Sequence, residues 1–344
     1  ILRHESRRLF MQSGILREGS SHYHLLLTRN YLDVTLAARR HGRSEQAEFE
    51  DVARKALAVA RELRLPGGFP LIGDISPDSP PQYLTCLSNS DIRTGWLESL
   101  SEDEREYVLS LMDRAANREA LAYDGWLRKK QGPWSGLWHA SPKGWCAMPG
   151  HGHQDCGGFE LHCEDEAVLI DPGRGAYGQE GEAFKYASGE VHNILLIDGA
   201  DPFPPNKPYY NEFFRNQICG NGTTVKSEPY LTIEHDGYTR FPGVGKVSRQ
   251  FQPFMNGWRI FSRVEGSGQR TISQHFVTPL IVELKGNEAT LVGREKYRFR
   301  AQSLWHTQAV TIWSAYGKGT SGTILALEET TTLPFYSQVD LEIM

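Results

Sequence analysis

The first third of the chain places its apolar residues at helical spacing. Apolar positions recur every three or four residues between His22 and Arg40, and again along residues 49–63, where Ser44 is suited to cap the helix. Ser101 is followed three residues later by a glutamate, the pattern of a capping box at the start of a further helix. Residues 1–132 are therefore predicted to form a helical region in which these stripes pack into a core.

After about Trp134 the pattern changes to an alternation of apolar and polar residues, which is typical of strands. The predicted strands are Thr223 to Glu234, Phe251 to Val264, Thr271 to Val282, Ala289 to Val292, Ala309 to Tyr316, Thr323 to Leu327 and Val339 to Ile343. Asn256-Gly257 and the segment from Lys285 to Asn287 are hairpin signals. Since no helical stretch separates these segments, residues 133–344 are predicted to form an antiparallel β-sandwich, which makes the fold class α+β with two domains.

The middle of the chain concentrates side chains that can bind a metal. His151 and His153 are two residues apart, so on an extended strand their side chains would point to the same face. Asp171 follows one apolar run and His192 precedes another. Three strands could therefore deliver His153, Asp171 and His192 to one point, and two imidazoles with one carboxylate suit zinc.

Composition and charge exclude several classes of protein. A chain of 344 residues with 39% hydrophobic content can form one large or two ordinary domains, and a net charge of −5 gives no indication of nucleic-acid binding. No apolar run approaches the roughly 18 residues of a membrane span, and we expect no signal peptide within the chain. The cysteines match no zinc or redox spacing and are predicted to be free and buried: Cys86, Cys146, Cys156, Cys163 and Cys219.

Three spaced motifs give the chain a family resemblance. HGHQD with the following GGFEL, then LIDPGRGAY, then VHNILLIDG resemble, in this order, the C-terminal β-domain of the heparinase II/III family of polysaccharide lyases. The resemblance implies a metal held by His153, Asp171 and His192, with His151 facing the substrate cleft. It also implies a cleft tyrosine after the DPG turn.

The position of that cleft tyrosine has two candidates. Tyr186 fits the family's spacing best, and Tyr177 is its rival. The metal is expected to be a single divalent ion, zinc in preference to calcium, and to be structural, because a pure proton-transfer reaction needs no metal-bound hydroxide.

A further motif, Glu18-Gly-Ser-Ser-His22-Tyr23, lies at the start of the first long helix. A role as helix caps would account for its serines. The segment also resembles the E-G/S-S-x-x-Y segment that supplies the catalytic tyrosine in the helical toroid of heparinase II/III-like and related alginate lyases, which points to Tyr23. Those toroids carry an Asn or an Asn-His pair well upstream, whereas only 22 residues precede Tyr23. We therefore expect an incomplete α/α toroid, with the missing residues before Ile1.

The activity implied by the resemblance is β-elimination on a uronic-acid polysaccharide. Such an enzyme removes the proton α to a carboxylate, so it must neutralise that carboxylate and place a base within about 3 Å of the proton. The predicted catalytic residues are Tyr23, His151 and Tyr186. Predicted substrate contacts, for which capping, turn or surface roles are the simpler interpretations, are His22, Arg174, Tyr177, Asn193 and Arg215.

Other functions stay open on the sequence. An inactive or hydrolytic heparinase-like protein could bind glycan in an envelope or exopolysaccharide pathway, and a zinc-dependent hydrolase could use metal-bound water. The expected partner is an acidic polysaccharide, and a homo-oligomer is left open. The resemblance favours a periplasmic or secreted location.

Overall fold

The computed structural model describes residues 1–140, 150–178, 180–203 and 223–344. Its helices are α1 (Leu2–Leu9), α2 (Ser21–Arg40), α3 (Gln46–Leu63), α4 (Pro81–Leu84), α5 (Glu102–Leu111), α6 (Arg118–Tyr123) and α7 (Gly181–Lys185). Short 3-10 turns lie at Thr85–Ser88, Gly95–Ser99 and Gly189–Val191. Within the described ranges, none of the helices combines the length and apolar composition of a membrane span.

Helix starts follow the capping chemistry of the sequence in two of three places. The Ser20 side chain caps α2 by accepting a hydrogen bond from the backbone N–H of Tyr23, and the predicted capping box at Ser101 is confirmed. The predicted cap at Ser44 is wrong. The cap position of α3 is Glu45, because the Ser44 hydroxyl donates to the Glu45 carboxylate instead.

The strands are β1 (Trp126–Gln131), β2 (Trp134–His139), β3 (Gly158–Cys163), β4 (Glu166–Leu169), β5 (Leu195–Ile197), β6 (Thr223–Lys226), β7 (Leu231–His235), β8 (Val244–Phe254), β9 (Gly257–Gly266), β10 (Gln269–Thr278), β11 (Ile281–Lys285), β12 (Glu288–Val292), β13 (Lys296–Arg300), β14 (His306–Ala315), β15 (Lys318–Thr332) and β16 (Phe335–Ile343). They form three antiparallel sheets, in the orders β1-β2-β3-β4, β14-β15-β10-β5 and β11-β12-β13-β16-β9-β8-β7-β6. The predicted α+β class with antiparallel sheets is confirmed.

Two predicted strands each prove to be two strands. Residues 251–264 contain the turn of the β8–β9 hairpin at residues 255–256, and residues 271–282 contain the connection between β10 and β11, which lie in different sheets. The second predicted hairpin signal, ending at Asn287, lies between β11 and β12. Strand β1 ends at Gln131 and pairs with β2 across the predicted domain boundary, so the first sheet begins before residue 133.

Side chains from all three sheets share one hydrophobic core. Trp138 of β2 packs against Phe251 of β8 and Trp258 of β9, with ring centroids 5.3 Å apart in both pairs. Phe276 of β10 and Phe299 of β13 make an edge contact in the same core. Cys86 and Cys163 are free and buried as predicted, and Cys156 is buried with its Sγ 3.4 Å from the Thr223 hydroxyl, whereas Cys146 and Cys219 lie outside the described residues.

The helical region meets the sheets along a segment that includes Gly73. The backbone of Gly73 has φ +81°, and a Cβ added there would lie 2.7 Å from the carbonyl oxygen of His151 and 2.8 Å from that of Gly19. The next residue, Asp74, donates its N–H to the His151 carbonyl at 2.9 Å. Glycine thus lets the loop between α3 and α4 lie directly against both the start of α2 and the segment before β3.

Candidate functional site

Three loops at the ends of strands bring together His153, Asp171 and His192. His153 precedes β3, Asp171 follows β4, and His192 follows the turn Gly189–Val191. All three side chains are buried, and one ligand atom from each lies within 4.8 Å of the others.

The segment from His151 to His153 is not a strand, so that element of the sequence interpretation is wrong. Its backbone hydrogen bonds go to the helical region instead of a neighbouring strand: the N–H of His151 donates to Glu18 at 3.2 Å, and its carbonyl accepts from Asp74. The extended backbone still directs both imidazoles towards one carboxylate, that of Asp74.

Each imidazole of the cluster has its Nε2 held by a protein group outside the cluster. Nε2 of His153 lies 3.0 Å from Oδ1 of Asp74, and its Nδ1 is buried with no hydrogen-bond partner among the described residues. Nε2 of His192 lies 3.1 Å from the Tyr186 carbonyl, and its Nδ1 lies 2.7 Å from the Asp171 carboxylate. This arrangement leaves both Nδ1 atoms as candidate ligands and fits a divalent metal whose histidines are oriented from behind.

Electrostatics tie His192 to Asp171. Burial would lower the pKa of His192, but the Asp171 and Asp155 carboxylates and the Tyr186 carbonyl together outweigh burial and raise that pKa to about 9. Without a metal the two side chains therefore form an imidazolium–carboxylate pair, and a metal that binds Nδ1 must displace a proton.

Asp171 is itself oriented by its neighbours. Its Oδ1 accepts from the N–H of Gly173 at 2.9 Å, closing the turn, and its own N–H donates to the buried carboxylate of Glu160 at 3.2 Å. The other oxygen of Glu160 lies 3.3 Å from Nε2 of His162, whose Nδ1 accepts from the N–H of Gly67 at 3.1 Å. A second hydrogen-bonded route thus runs from the helical region to the cluster.

Tyr23, near the start of α2, faces the sheets directly. Its ring stacks on the imidazole of His151, with centroids 3.5 Å apart and an angle of 10° between the planes. Its hydroxyl lies 2.9 Å from the hydroxyl of Tyr177, which also donates to the Ile75 carbonyl at 3.0 Å. Tyr177 is 39% exposed, so this group borders solvent.

The Tyr177 phenol stays neutral. Burial raises its pKa above the usual range, and the hydrogen bond with Tyr23 and the nearby Asp74 carboxylate raise it further. A neutral phenol with two alternative partners can donate either to Ile75 or to the oxygen of Tyr23.

The carboxylate of Asp74 lies between the cluster and the tyrosines. It contacts Nδ1 of His151 at 3.2 Å, Nε2 of His153 at 3.0 Å and Nη1 of Arg174 at 3.1 Å. Burial alone would raise the pKa of Asp74, but the hydrogen bonds from the two histidines, with the charges of His153 and Arg174, outweigh burial and hold that pKa far below its usual range. Asp74 is therefore ionised.

Arg174 and Glu18 complete the surroundings. Besides Asp74, the Arg174 guanidinium donates to the carbonyls of Ala183 and Gly178, at 2.8 and 2.9 Å, and its centre lies 5.4 Å from the Tyr177 ring. Nε2 of His151 lies 3.4 Å from the Glu18 carboxylate. Arg174 is thus held next to Tyr177 by hydrogen bonds to the protein.

Three predicted site residues are buried and hydrogen-bonded within the protein. Tyr186 is 3% exposed, and its hydroxyl accepts from the N–H of Thr311 at 2.8 Å. His22 is fully buried and accepts from the N–H of Ser76, and burial lowers its pKa to about 4. Asn193 is buried, and its amide donates to the carbonyls of Phe159 and Ile170. Arg215 lies outside the described residues.

Three residues of this group were not among the predicted site residues. Asp74 lies in a proline-rich loop that also contains Asp78, and the length and acidity of this loop were the only signals in the sequence. Glu18 belongs to the motif of Tyr23 but was not a predicted site residue. Tyr316, in the β14–β15 turn, packs edge-on against Tyr177 at 5.3 Å and accepts from its N–H.

A family model that covers most of the strands and the three candidate metal ligands identifies the family. The model of the family described as heparinase II/III-like, C-terminal, matches residues 113–339, which is more than half of the chain. The chain belongs to this family. Its match covers the segments that carry His153, Asp171 and His192, whereas Tyr23 and Asp74 precede it.

Solved structures show the same fold. A heparan sulfate lyase HepC from Pedobacter heparinus superposes on all of the chain with a TM-score of 0.69 at 15% identity, over 55% of its own length. Two structures of heparinase III give TM-scores of 0.70 and 0.67 at 16% and 17% identity, again over the whole chain and over 54% and 56% of their own lengths. The chain thus spans about half the length of these heparinase-like proteins. Among curated protein sequences, none matches it significantly.

Proposed function

We propose that the chain forms part of a lyase that cleaves a uronic-acid-containing polysaccharide by β-elimination. The observation that carries this proposal is the contact of the Tyr23 phenol with both the Tyr177 hydroxyl and the His151 ring, beside the rim between the helices and the sheets. The similar structures support it, because they are those of a heparan sulfate lyase and of heparinase III.

In this proposal Tyr23 is the group that exchanges a proton with the substrate. Abstraction of the proton α to the uronate carboxylate needs a base at close range, and expulsion of the O4-linked sugar needs an acid. The Tyr177 hydroxyl can turn from the Ile75 carbonyl to the Tyr23 oxygen, so it can stabilise a phenolate by a charge-assisted hydrogen bond. His151 binds the carboxylate or serves as the second base.

We assign the position of the second cleft tyrosine to Tyr177. The Tyr186 hydroxyl is buried against Thr311, whereas Tyr177 is exposed and contacts Tyr23. For the same reason we propose that Arg174, His22 and Asn193 support the site from behind, since their polar atoms are already engaged with the protein.

We further propose that His153, Asp171 and His192 hold one structural metal ion. Two observations support this assignment: Nδ1 of His153 has no hydrogen-bond partner among the described residues, and the Nε2 atoms of both histidines are hydrogen-bonded. Two imidazoles favour zinc over calcium, which prefers oxygen ligands. The ion would crosslink three loops, and proton transfer remains with Tyr23, Tyr177 and His151.

We also propose that the helical region is the last part of an α/α toroid. An acidic polysaccharide is the proposed substrate.

The test is to incubate the purified protein, at the full length in which it occurs, with uronate polysaccharides and to follow the ultraviolet absorbance of unsaturated uronate. A rise supports β-elimination, new reducing ends without absorbance indicate a hydrolase, and binding without either product indicates an inactive relative.

A further inference from the structure

We propose that Asp74 is a positioning residue that couples the His153–Asp171–His192 metal site to the cleft. Its carboxylate comes from the helical region, yet its three side-chain partners all come from the segments between β2 and α7: His151, His153 and Arg174. The part that concerns turnover rests on the proposed function, whereas the part that concerns metal binding does not.

One oxygen of Asp74 faces the metal site. Oδ1 lies 3.0 Å from Nε2 of His153, and the opposite ring nitrogen, Nδ1, is buried and has no partner in the described part of the chain. A carboxylate behind a histidine fixes the tautomer with the proton on the held nitrogen and leaves a lone pair on the other. Asp74 therefore selects the metal-ligating form of His153.

The other oxygen faces the stacked Tyr23–His151 pair. Oδ2 lies 3.2 Å from Nδ1 of His151, the ring on which Tyr23 stacks at 3.5 Å. A shift of the Asp74 carboxylate would therefore move both imidazoles together, because the two oxygens of one rigid group hold them.

The backbone around Asp74 keeps this carboxylate in place. Its N–H donates to the carbonyl of His151, and the N–H of Ile75 donates to the carbonyl of Arg174, at 2.9 and 3.0 Å. The Arg174 guanidinium balances the buried negative charge at 3.1 Å. The helical region thus places one fixed carboxylate, that of Asp74, between the metal site and the stacked Tyr23–His151 pair.

The experiment compares Asp74→Asn with Asp78→Asn, a matched change at an exposed aspartate of the same loop. Zinc affinity of the metal-stripped proteins is measured by competition with a chromophoric chelator. We expect Asp74→Asn to weaken zinc binding by about 10- to 100-fold, the usual effect of losing a carboxylate behind a histidine ligand, and Asp78→Asn to leave it unchanged. Equal zinc affinity of Asp74→Asn and the unmodified protein would overturn the proposal.

A second variant covers a failure of Asp74→Asn to fold. Asp74→Glu keeps the charge opposite Arg174 but displaces the carboxylate by one methylene, so it should fold and still bind zinc more weakly. Nitrogen-15 NMR of labelled histidines then reports whether His153 keeps its Nε2-protonated tautomer, and retention of that tautomer in Asp74→Glu with unchanged affinity would also overturn the proposal.

Turnover with uronate polysaccharide is measured in parallel. Loss of zinc affinity without any lyase activity in the unmodified protein would refute the proposed function and leave the metal part standing.

Discussion

The phenol ring of Tyr23 lies flat against the imidazole of His151, although one belongs to the helical region and the other to the segment before β3. The centroid separation of 3.5 Å holds the Tyr23 hydroxyl beside that of Tyr177. A proton-transferring phenol needs such fixed geometry more than it needs any particular pKa, because the base must reach the proton first.

Replacement of Tyr23 by phenylalanine tests the proposed proton transfer. Tyr23→Phe keeps the stacked ring and removes only the hydroxyl, so we expect the formation of unsaturated product to fall by about 10²- to 10⁴-fold while the thermal midpoint changes little. Tyr123→Phe is the matched control, since Tyr123 is 76% exposed. Activity retained by Tyr23→Phe would remove this residue from the mechanism.

The two candidate second tyrosines predict opposite outcomes. Tyr177→Phe loses the donor that can stabilise the Tyr23 oxygen, and a hydrogen bond to a charged group is worth about 1.5–3 kcal/mol, so turnover should fall by roughly 10- to 100-fold. Tyr186→Phe leaves the N–H of Thr311 without its acceptor, so it should cost about 1 kcal/mol of stability and leave turnover near that of the unmodified protein. Steady-state kinetics and urea unfolding of both variants decide the assignment, and the reverse pattern would restore Tyr186 to the cleft.

Buried His24 predicts a loss of stability in acid. Its Nδ1 accepts from the N–H of Leu16 at 3.2 Å and its Nε2 lies 2.9 Å from the Ala56 carbonyl, so a second ring proton would face a donor. Burial lowers the pKa of His24 to about 4, against an ordinary value of 6.5 in the unfolded chain. The unfolded chain therefore takes up the proton first, and stability that is complete above about pH 6.5 is lost as the pH falls towards 4.

The measurement is the urea midpoint at pH 7 and at pH 5 for the unmodified protein and for His24→Gln. Glutamine can replace both hydrogen bonds but does not titrate, so the variant should show a smaller loss between the two values. Part of the loss should remain, because burial also lowers the pKa of His22 and of His235 to about 4. An identical loss in both proteins would contradict the role of His24.

The sequence predicted the antiparallel sheets well because alternation and turn chemistry are local properties. The β8–β9 turn lies at residues 255–256, within one residue of the Asn256-Gly257 hairpin signal. The segment from His151 to His153 was mistaken for a strand, because an extended backbone has the same period whether its partner is a strand or, as here, the loop that carries Asp74.

The candidate site also has a part that the sequence predicts and a part that depends on tertiary packing. The three spaced motifs identified His153, Asp171 and His192, which the structure brings within 4.8 Å of one another. The choice between Tyr177 and Tyr186 lay beyond the sequence, since both follow the DPG turn. It depends on tertiary packing: the Tyr186 ring makes an edge contact with Trp313 and is buried.

Removal of the metal distinguishes a structural ion from a catalytic one. The proposed ion joins the loop before β3, the loop after β4 and the loop before β5, so stripping it with a chelator should lower the thermal midpoint and the turnover together, and added zinc should restore both. An ion present at 100 times its Kd stabilises the folded chain by about 2.7 kcal/mol, which is easily measured. His192→Ala should reproduce the loss and bind no zinc, whereas His41→Ala, at an exposed histidine, should not. A zinc-dependent hydrolase would instead lose activity on chelation at an unchanged thermal midpoint, because there the ion would supply the nucleophile and not the crosslink.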